Sequence, residues 1–503
     1  MFEASVFNSE KPSLDLSFQA PLSKDYKVYL NGKEIPVYTC RISRYPFNTW
    51  WPGHQRQIEQ SEKVSYINVV SDEDIEIAVE PLAKENFKKI LLKPYSKGVK
   101  PQLIGNKIVF KLKENGGYVL ELDDYHGLLY IFNNKPIEAP KPEEVTHYFG
   151  KGIHFPGRIT LKSNQSIYVD KDALVYGCIF AEKAENIKIF GNGVFDDSTE
   201  ERALEHCYKS TPNGNIKFYD CKNITINGVG FTNSAIWCVN IFHCFDVLID
   251  SINVFGQWRY NTDGIDIVNS QRVTVKNSFV HSFDDSITVK GIDEYAYEDN
   301  IDILAENCVL WCDWGKTCEI GFETACKEYR NITFRNCDLL RAGGTACDIN
   351  NGNFAEVHNV TFENIRIEIE SFYTPPLLQQ SDEQQYDRQD ENHISFVAKI
   401  ANHRIGDFYD SLKENDIHKK QIDKERYASV HDIKIKDINI YCDLELVAKE
   451  GTKCAKIALE KIVTDSKFEN IVFENIYLNG VKLLREEMDI TLKNCTENNF
   501  KVI

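Results

Sequence analysis

A short motif that recurs along the chain constrains its fold more than any other feature. The copies begin with a polar residue, most often Asn or Asp, and continue with alternating apolar residues. Each copy ends five positions after its start with Asn, Gly, Asp or Ser. The copies begin at residues 186, 223, 246, 272, 302, 331, 359, 432 and 470. Between 223 and 359 the starts advance by 23, 26, 30, 29 and 28 residues. A nearly fixed period of this length is typical of coils stacked in a solenoid, with one strand at the same place in each coil.

The alternation within each motif indicates strands with one buried face. The polar residue that closes each strand fits a turn, because Asn tolerates the left-handed backbone region and its amide can bond to neighbouring coils. A β-sandwich would show hairpin signals without a fixed register, and a leucine-rich repeat would show Leu at fixed places. We therefore predict a parallel β-helix over residues 147–503.

Residues 1–140 lack the motif and carry short alternating stretches between Gly, Asn and Pro turns. This pattern predicts a separate N-terminal β-sandwich domain, so the fold class as a whole is all-β. The repeat is interrupted at about 371–430, by a segment rich in Pro, Gln and Asp that is followed by helical spacing near Phe408. We interpret this segment as a long insertion that walls a cleft or serves an oligomer contact.

Charge and composition exclude some classes of partner. The formal net charge of −18 disfavours nucleic acid and anionic membranes, and it disfavours a polyanionic substrate unless the cleft carries a local basic patch. No stretch approaches the roughly 20 apolar residues of a membrane span. The first residues show no signal peptide, and the 15 cysteines form no CxxC pair, which is typical of reduced thiols. We expect a cytoplasmic protein, although a secreted one whose signal had been removed would look the same.

Three aspartates flank the repeat strand that begins at residue 272. Asp263 precedes this strand, and Asp284 and Asp285 follow it at a separation of 21 residues from Asp263. This is slightly less than one coil, so the three side chains should meet on one face at adjacent levels, about 4.8 Å apart. Repulsion among the carboxylates raises the pKa of one, which supplies both a proton donor and a base. Asp pairs are also common in turns, and acidic clusters bind Ca²⁺, so spacing alone leaves catalysis, metal binding and turn formation open.

The same residues resemble the motifs of glycoside hydrolase family 28, the polygalacturonases. Asn261-Thr-Asp263 is similar to the NTD motif of that family, and Asp284-Asp285 is similar to its DD pair. The resemblance covers residues 147–365. It implies a right-handed β-helix and an inverting hydrolase that needs no metal or other cofactor. It also implies that Asp284 is the general acid and that Asp263 and Asp285 activate the water.

Two family motifs are altered. The histidine of the family's GHG motif is replaced by Lys316, and its RIK motif aligns with Asp348-Ile-Asn350. In the family, the Arg and Lys of RIK grip the carboxylate of galacturonate, which Asp348 would instead repel. We therefore predict a neutral substrate, an α-linked glucose or galactose oligosaccharide or polysaccharide. The residues expected to bind it are Trp314, Lys316, Glu319, Glu323, Asp348 and Asn350.

Several alternatives stay open. The β-helix and the Asp trio are shared by family 49, the dextranases and isopullulanases with an N-terminal β-sandwich, and by the family 110 α-galactosidases. A polygalacturonase-type hydrolase of a uronate-containing glycan, a Ca²⁺-dependent lyase and a glycan-binding β-helix without catalysis are also compatible with the sequence. The linkage, endo or exo action and homo-oligomerisation are left open.

Overall fold

The structure, a computed structural model, describes residues 21–43, 47–49, 58, 61–84, 86–200, 214–371, 377–379, 395–403 and 426–503. The fold is a right-handed parallel β-helix flanked by an N-terminal β-sandwich, so the predicted fold class is confirmed. Among the described residues, the longest helix is Leu444–Glu450, and no helix is long and apolar enough to cross a membrane.

The N-terminal domain consists of two five-stranded sheets. The outer sheet, in the order β2-β1-β6-β9-β8, is formed by β1 (Tyr26–Leu30), β2 (Lys33–Ile35), β6 (Ile75–Pro81), β8 (Gln102–Ile104) and β9 (Lys107–Leu112). The inner sheet, in the order β3-β5-β11-β10-β7, is formed by β3 (Tyr38–Ser43), β5 (Ser61–Val70), β7 (Ile90–Lys93), β10 (Gly116–Leu122) and β11 (Asp124–Asn134).

The coils of the β-helix form three parallel sheets. The first sheet contains β12 (His147–Phe149), β14 (Ser166–Val169), β16 (Glu185–Gly191), β19 (Lys222–Asn227), β22 (Phe245–Asp250), β25 (Gln271–Lys276), β28 (Asn300–Glu306), β31 (Glu328–Arg335), β34 (Glu356–Glu363), β38 (Val430–Cys442), β40 (Phe468–Leu478) and β43 (Phe500–Val502). The second contains β17 (Val194–Asp196), β20 (Gly230–Thr232), β23 (Asn253–Val254), β26 (Phe279–Ser282), β29 (Val309–Cys312), β32 (Asp338–Ala342) and β35 (Arg366–Ile369). The third contains β18 (Ile216–Tyr219), β21 (Val239–Phe242), β24 (Ile265–Val268), β27 (Ile287–Gly291), β30 (Lys316–Thr324), β33 (Thr345–Asn351), β37 (Phe396–Asn402), β39 (Lys456–Lys461) and β42 (Asp489–Lys493).

Three further strands complete the helix. The long strand β13 (Gly152–Leu161) has a register shift in its pairing with the long strand β15 (Ala173–Glu182). The first half of β15 pairs with β17, and its second half pairs with β18. Near the C-terminus, β41 (Val481–Lys482) pairs with β40 in an antiparallel manner.

The repeated motif explains the first sheet. Its strands begin and end at left-handed residues, as Arg272 (φ 54°) and Asn277 (φ 52°) do around β25. Asn277 Nδ2 donates to Asp250 Oδ1 of the preceding coil at 2.9 Å, and Asn364 Nδ2 donates to Asn336 Oδ1 at 2.8 Å. The predicted asparagine turns and their bonds between coils are thus confirmed. The same register stacks apolar side chains inside the helix: Ile224, Val247, Val273, Ile303, Ile332, Val360, Ile433 and Ile471.

The N-terminal domain packs along the flank of the helix. Its inner sheet contributes Tyr66, Tyr130 and Phe132 to an apolar cluster with Phe255 and Phe279, which lie in or beside the second sheet of the helix. Aromatic side chains dominate this contact, as is common where large apolar areas are buried.

Buried ion pairs reinforce the same contact. Arg341 of β32 donates to both carboxylate oxygens of Glu121 in β10, at 2.6 and 2.8 Å. Lys93 of β7 donates to Glu368 of β35 at 2.9 Å and also contacts Glu370. These groups are almost fully buried, so removing one partner would leave an uncompensated charge in the interface.

The predicted insertion at 371–430 needs one correction. Phe396–Asn402 within it is β37, a regular strand of the third sheet that pairs with β33 and β39. The interruption therefore consists of two segments with a coil strand between them. In the first segment, β36 (Leu377–Gln379) pairs with β4 (Phe47–Thr49) of the N-terminal part. The helical spacing predicted near Phe408 lies outside the described residues.

Candidate active site

The three aspartates lie in turns that connect the second sheet to the third. Asp263 lies two residues before β24 begins at Ile265, and Asp284 and Asp285 lie between β26 and β27. In the next coil the corresponding turn runs from Asp313 to Gly315. Because strands of the third sheet are paired in register, Ile265 with Ile287 and Ile287 with Cys318, these turns stack directly on one another.

Backbone hydrogen bonds fix the aspartates relative to each other. Asp284 N donates to the carbonyl of Thr262 at 3.2 Å, and Gly264 N donates to the carbonyl of Asp285 at 2.8 Å. Asn261, which has a left-handed backbone (φ 59°), donates from its side chain to Asp263 Oδ1 at 3.3 Å. The structure therefore brings the three predicted side chains together on adjacent coils.

Gly315 of the next coil lies directly against the aspartate pair. A Cβ atom at this position would be 2.4 Å from Asp285 Oδ1 and 2.5 Å from Asp284 Oδ1. Both distances are far below van der Waals contact, so only glycine leaves room for the two carboxylates. The following residue, Lys316, donates its backbone N–H to Asp285 Oδ1 at 3.0 Å.

The adjacent aspartates are driven to opposite protonation states. Burial, with added repulsion from Asp285, raises the pKa of Asp284 to about 7. Burial also disfavours the charge of Asp285, but the ammonium groups of Lys316 and Lys290 outweigh it and hold the pKa of Asp285 below its usual value. One carboxylic acid and one carboxylate thus coexist at near-neutral pH, as acid–base catalysis requires.

Lys290 is a buried cation at the centre of the site. Its Nζ lies 3.1 Å from Asp285 Oδ2, 3.8 Å from Asp263 Oδ2 and 3.5 Å from Glu323 Oε2. It also donates to the carbonyl of Gly321 at 3.2 Å. Burial opposes its charge, but Asp285 and Glu323 together with other carboxylates hold the pKa of Lys290 well above the usual value. The lysine is therefore charged throughout the working pH range.

Lys316 contacts the aspartate pair from the other side. Its Nζ lies 3.0 Å from Glu319 Oε1 and 3.6 Å from Asp285 Oδ1. Glu319 is fully buried, and burial together with Asp285 raises its pKa well above the usual value. Lys316 therefore contacts both Glu319 and Asp285, and Asp285 lies between the ammonium groups of Lys316 and Lys290.

Asp263 has a neighbour that the sequence interpretation did not single out, Asp266 in β24. Both side chains are almost fully buried. Burial raises the pKa of both groups well above the usual value, and for Asp263 the charges of Asp266 and Asp284 add to the effect. A side-chain hydrogen bond with Asp263 partly offsets the effect of burial on the pKa of Asp266. The raised pKa favours the protonated form of Asp263, whereas the family resemblance implies that Asp263 activates the water together with Asp285.

The remaining predicted residues extend the site along the third sheet. Asp348 of β33 is in register with Glu319, and burial raises its pKa to about 6. Asn350 is in register with Gly321, two residues further on, and its Oδ1 accepts no hydrogen bond from a described residue. The side chain of Glu323 is about half exposed, next to Lys290.

The aromatic residues near the site differ in their surroundings. Trp314, predicted to bind substrate, is half-buried in the turn before β30, and its backbone N donates to the carbonyl of Phe283. Phe322 is exposed on β30 and packs near His403. Trp311 faces the N-terminal domain instead, stacked on His281 at 3.9 Å between ring centroids, so it belongs to the interdomain core.

Period-two alternation could have identified two functional candidates that were missed, Lys290 and Asp266. Thr288 and Lys290 are two residues apart and point to the same face of β27, the face on which Asp266 lies in the preceding coil. Counting outward-facing positions from the aspartate turns would have placed Lys290 and Asp266 beside the pair. The role of Gly315 carries no such signal, because it depends on the approach of another coil.

Comparison with known proteins identifies the family of the chain. The sequence model described as glycosyl hydrolases family 28 matches residues 137–458. The chain belongs to glycosyl hydrolase family 28. The resemblance identified from the aspartate motifs is thereby confirmed.

Individual relatives are distant. A polygalacturonase of Persea americana is 26% identical over 230 residues, which cover 42% of this chain and 46% of that protein. An exopolygalacturonase of Zea mays is 27% identical over 150 residues, covering 26% of this chain and 35% of that protein. The chain thus spans less than half the length of these curated relatives.

A solved structure extends the likeness in fold to nearly the whole chain. Dex49A from Penicillium minioluteum superimposes with a TM-score of 0.54, covering 99% of this chain and 94% of its own, at 12% sequence identity. At this identity the likeness concerns the fold alone. It includes the combination of a β-helix with an N-terminal domain.

Proposed function

We propose that this protein is an inverting glycoside hydrolase that uses Asp284 as general acid and Asp285 as general base. The observation that carries the proposal is the contrast between the two neighbouring carboxyl groups, one with a pKa of about 7 and one held ionised by two lysines. Membership of family 28 supports the same reaction class.

In the proposed reaction Asp284 gives its proton to the glycosidic oxygen as the bond between that oxygen and the anomeric carbon breaks. Asp285 accepts a proton from the water whose oxygen attacks the same carbon, and the family resemblance implies that the configuration inverts. Lys290 and Lys316 keep Asp285 ionised before the water is bound. Asp263, whose raised pKa favours the protonated form, then serves to hold the water or a sugar hydroxyl rather than to act as a second base.

The substrate we propose is a uronate-containing glycan of the galacturonan type. The polygalacturonase relatives support this choice over the neutral glycan predicted from the sequence. The neutral prediction rested on Asp348 and Asn350 in place of a basic motif. A cation is nevertheless close by, because Lys399 of β37 is in register with Asp348 on the next coil and its side chain is partly exposed.

Lys399 suits a uronate bound away from the cleaved bond. Coils are spaced about 4.8 Å apart, roughly the length of one sugar residue, so Lys399 would meet a sugar further along the glycan than the one beside Asp285. Its Nζ lies 3.4 Å from Glu460 Oε1, a partner that a substrate carboxylate could displace. This arrangement would move uronate recognition along the chain of sugars, away from the position of the family's basic motif.

A neutral glycan remains the second candidate, because Asp348 is buried beside the site and would repel a uronate bound next to it. Polygalacturonan oligomers and the same oligomers with their carboxyl groups reduced to alcohols form a matched pair of substrates. The proposal predicts new reducing ends, with inverted anomers by NMR, chiefly from the uronate form. Preference for the reduced form would establish the neutral alternative.

The role of Lys399 can be tested separately. Lys399→Gln is expected to raise KM for uronate oligomers about tenfold or more, with little change in kcat, because a charge-assisted contact is lost outside the reacting centre. Lys436→Gln provides a matched control, since Lys436 forms a similar pair with Glu363 on the first sheet, at 2.7 Å. An unchanged KM in Lys399→Gln would exclude Lys399 as the uronate contact.

A further inference from the structure

A second cluster of charged side chains lies on the first sheet, away from the aspartates. Glu328 of β31, Glu356 and His358 of β34 each offer one ligand atom, and these three atoms lie within 4.8 Å of one another. Glu328 is in register with Glu356 on the next coil. The cluster thus joins two consecutive coils on the outer surface of the helix.

Hydrogen bonds hold the ligand atoms towards each other. His358 Nε2 lies 2.7 Å from Glu328 Oε1, and Glu356 Oε1 lies 2.9 Å from Nε2 of His431 on the following coil. The other nitrogen of His431 is 2.6 Å from Asp432 Oδ2. Such a chain of carboxylate, imidazole and carboxylate is the arrangement by which outer groups orient metal ligands.

Glu356 is the most buried carboxylate of the cluster, at 8% exposed. Its Oε1 faces His431, and its Oε2 pairs with Nη1 of Arg426 at 3.0 Å. Arg330 Nε lies 3.3 Å from Glu328 Oε1. The two arginines offset part of the repulsion between the glutamates. Arg426 pairs with Glu356 and Arg330 pairs with Glu328, whereas a metal ion would be bound by both glutamates at once.

We propose that Glu328, Glu356 and His358 bind a divalent transition-metal ion of the Zn²⁺ type. A set of one imidazole and two carboxylates suits Zn²⁺ better than Ca²⁺ or Mg²⁺, which prefer oxygen ligands alone. The ion would tie the coil of β31 to the coil of β34 on the first sheet. Its role is therefore structural, and it is independent of the aspartates on the turns before the third sheet.

The test uses untagged full-length protein, freed of metal with a chelator and kept reduced so that cysteines do not form disulfides. Calorimetric titration with ZnCl₂ is expected to show one saturable site, and thermal unfolding should shift to higher temperature with Zn²⁺. Both effects should be lost in His358→Asn and in Glu328→Gln. His431→Asn should weaken binding about 10-fold or more, because it removes an orienting group.

His243 supplies a matched control. It also has two carboxylate neighbours, Asp220 Oδ1 at 2.7 Å and Glu298 Oε2 at 3.5 Å, but on opposite ring nitrogens, so they do not converge on one point. His243→Asn should bind Zn²⁺ like the unaltered protein. Absence of saturable binding, equal binding in folded His358→Asn and Glu328→Gln, or a preference for Ca²⁺ would each overturn the proposal. Hydrolase activity should be the same with and without the metal.

Discussion

Lys290 donates a hydrogen bond to Asp285 across 3.1 Å from a position where it is almost fully buried. The lysine precedes the family's altered motifs in the sequence and belongs to the strand that follows the aspartate pair. Its charge makes Asp285 a carboxylate where burial alone would favour the acid. The proposed base therefore depends on a residue outside the aspartate trio.

Replacing Lys290 by Met should raise the pKa of Asp285 by about 1–3 units, because an opposite charge within hydrogen-bond distance is removed. The acidic limb of the kcat/KM profile should move to higher pH by a similar amount, with lower activity at its maximum. Lys111→Met, which alters an exposed lysine of the N-terminal domain, should leave the profile unchanged. A fall in activity without displacement of the acidic limb would contradict this role for Lys290.

Asp284→Asn should lower kcat by about 10²–10⁴-fold, the usual contribution of a general acid. The loss should be much smaller for substrates with a good leaving group, such as a nitrophenyl glycoside, because these need little protonation. Full turnover on the natural glycan by a folded Asp284→Asn variant would show that Asp284 is not the acid.

The pH dependence follows from the same pair. Asp284 is competent while protonated, so kcat/KM should fall as pH rises above about 7, by about tenfold per unit. Asp285 has a lowered pKa, so the base remains ionised well into the acidic range. Steady-state rates between pH 4 and pH 9 would reveal this profile, and an activity that increases above pH 8 would be incompatible with it.

Stability should respond to pH through Asp284 as well. Its pKa in the folded state, about 7, is higher than in the unfolded chain, so the native state loses stability as pH rises from about 4 to about 7. Asp284→Asn avoids that loss and should therefore melt at higher temperature than the native protein, by a margin that grows with pH in this window. Calorimetric scans at pH 4.5, 6 and 8 would measure the margin, and a constant difference would refute it.

Gly315→Ala should abolish most of the activity because its Cβ would displace both carboxylates from within 2.5 Å. Gly150→Ala offers a comparison, since its Cβ would meet only the ring of Tyr148 at 3.2 Å. Circular dichroism and glycan hydrolysis should separate the two variants: both are expected to fold, with turnover retained only in Gly150→Ala. Normal turnover in Gly315→Ala would mean that the turn adjusts to the methyl group.

The sequence was sufficient to predict the elements that depend on local pattern. Strand alternation and turn chemistry recur in every coil, which is why the parallel β-helix, the asparagine turns and the grouping of Asp263 with Asp284 and Asp285 could all be foreseen. The strand β37 was missed because it belongs to the third sheet, which does not carry the repeated motif, and because segments of unusual composition lie on both sides of it. Contacts between coils of different length, such as Gly315 against Asp285, leave no periodic trace.

Electrostatic roles were harder to foresee than positions. The raised pKa of Asp263 depends on how fully this residue is buried and on the neighbouring Asp266, neither of which the family motif specifies. The predicted neutral substrate followed from one strand, Asp348–Asn350, whereas the cation that the structure places nearby, Lys399, belongs to the next coil.

The docking of the N-terminal domain has a consequence for how this family member can change in evolution. Solenoids commonly gain or lose length by duplication or deletion of a whole repeat. Here the N-terminal domain contacts the helix from Leu174 to Glu370, with aromatic contacts in the middle and buried ion pairs near the end. An added coil within that span would shift the later contacts by about 4.8 Å and break their alignment. The contacts with the N-terminal domain therefore fix the number of coils around the aspartates.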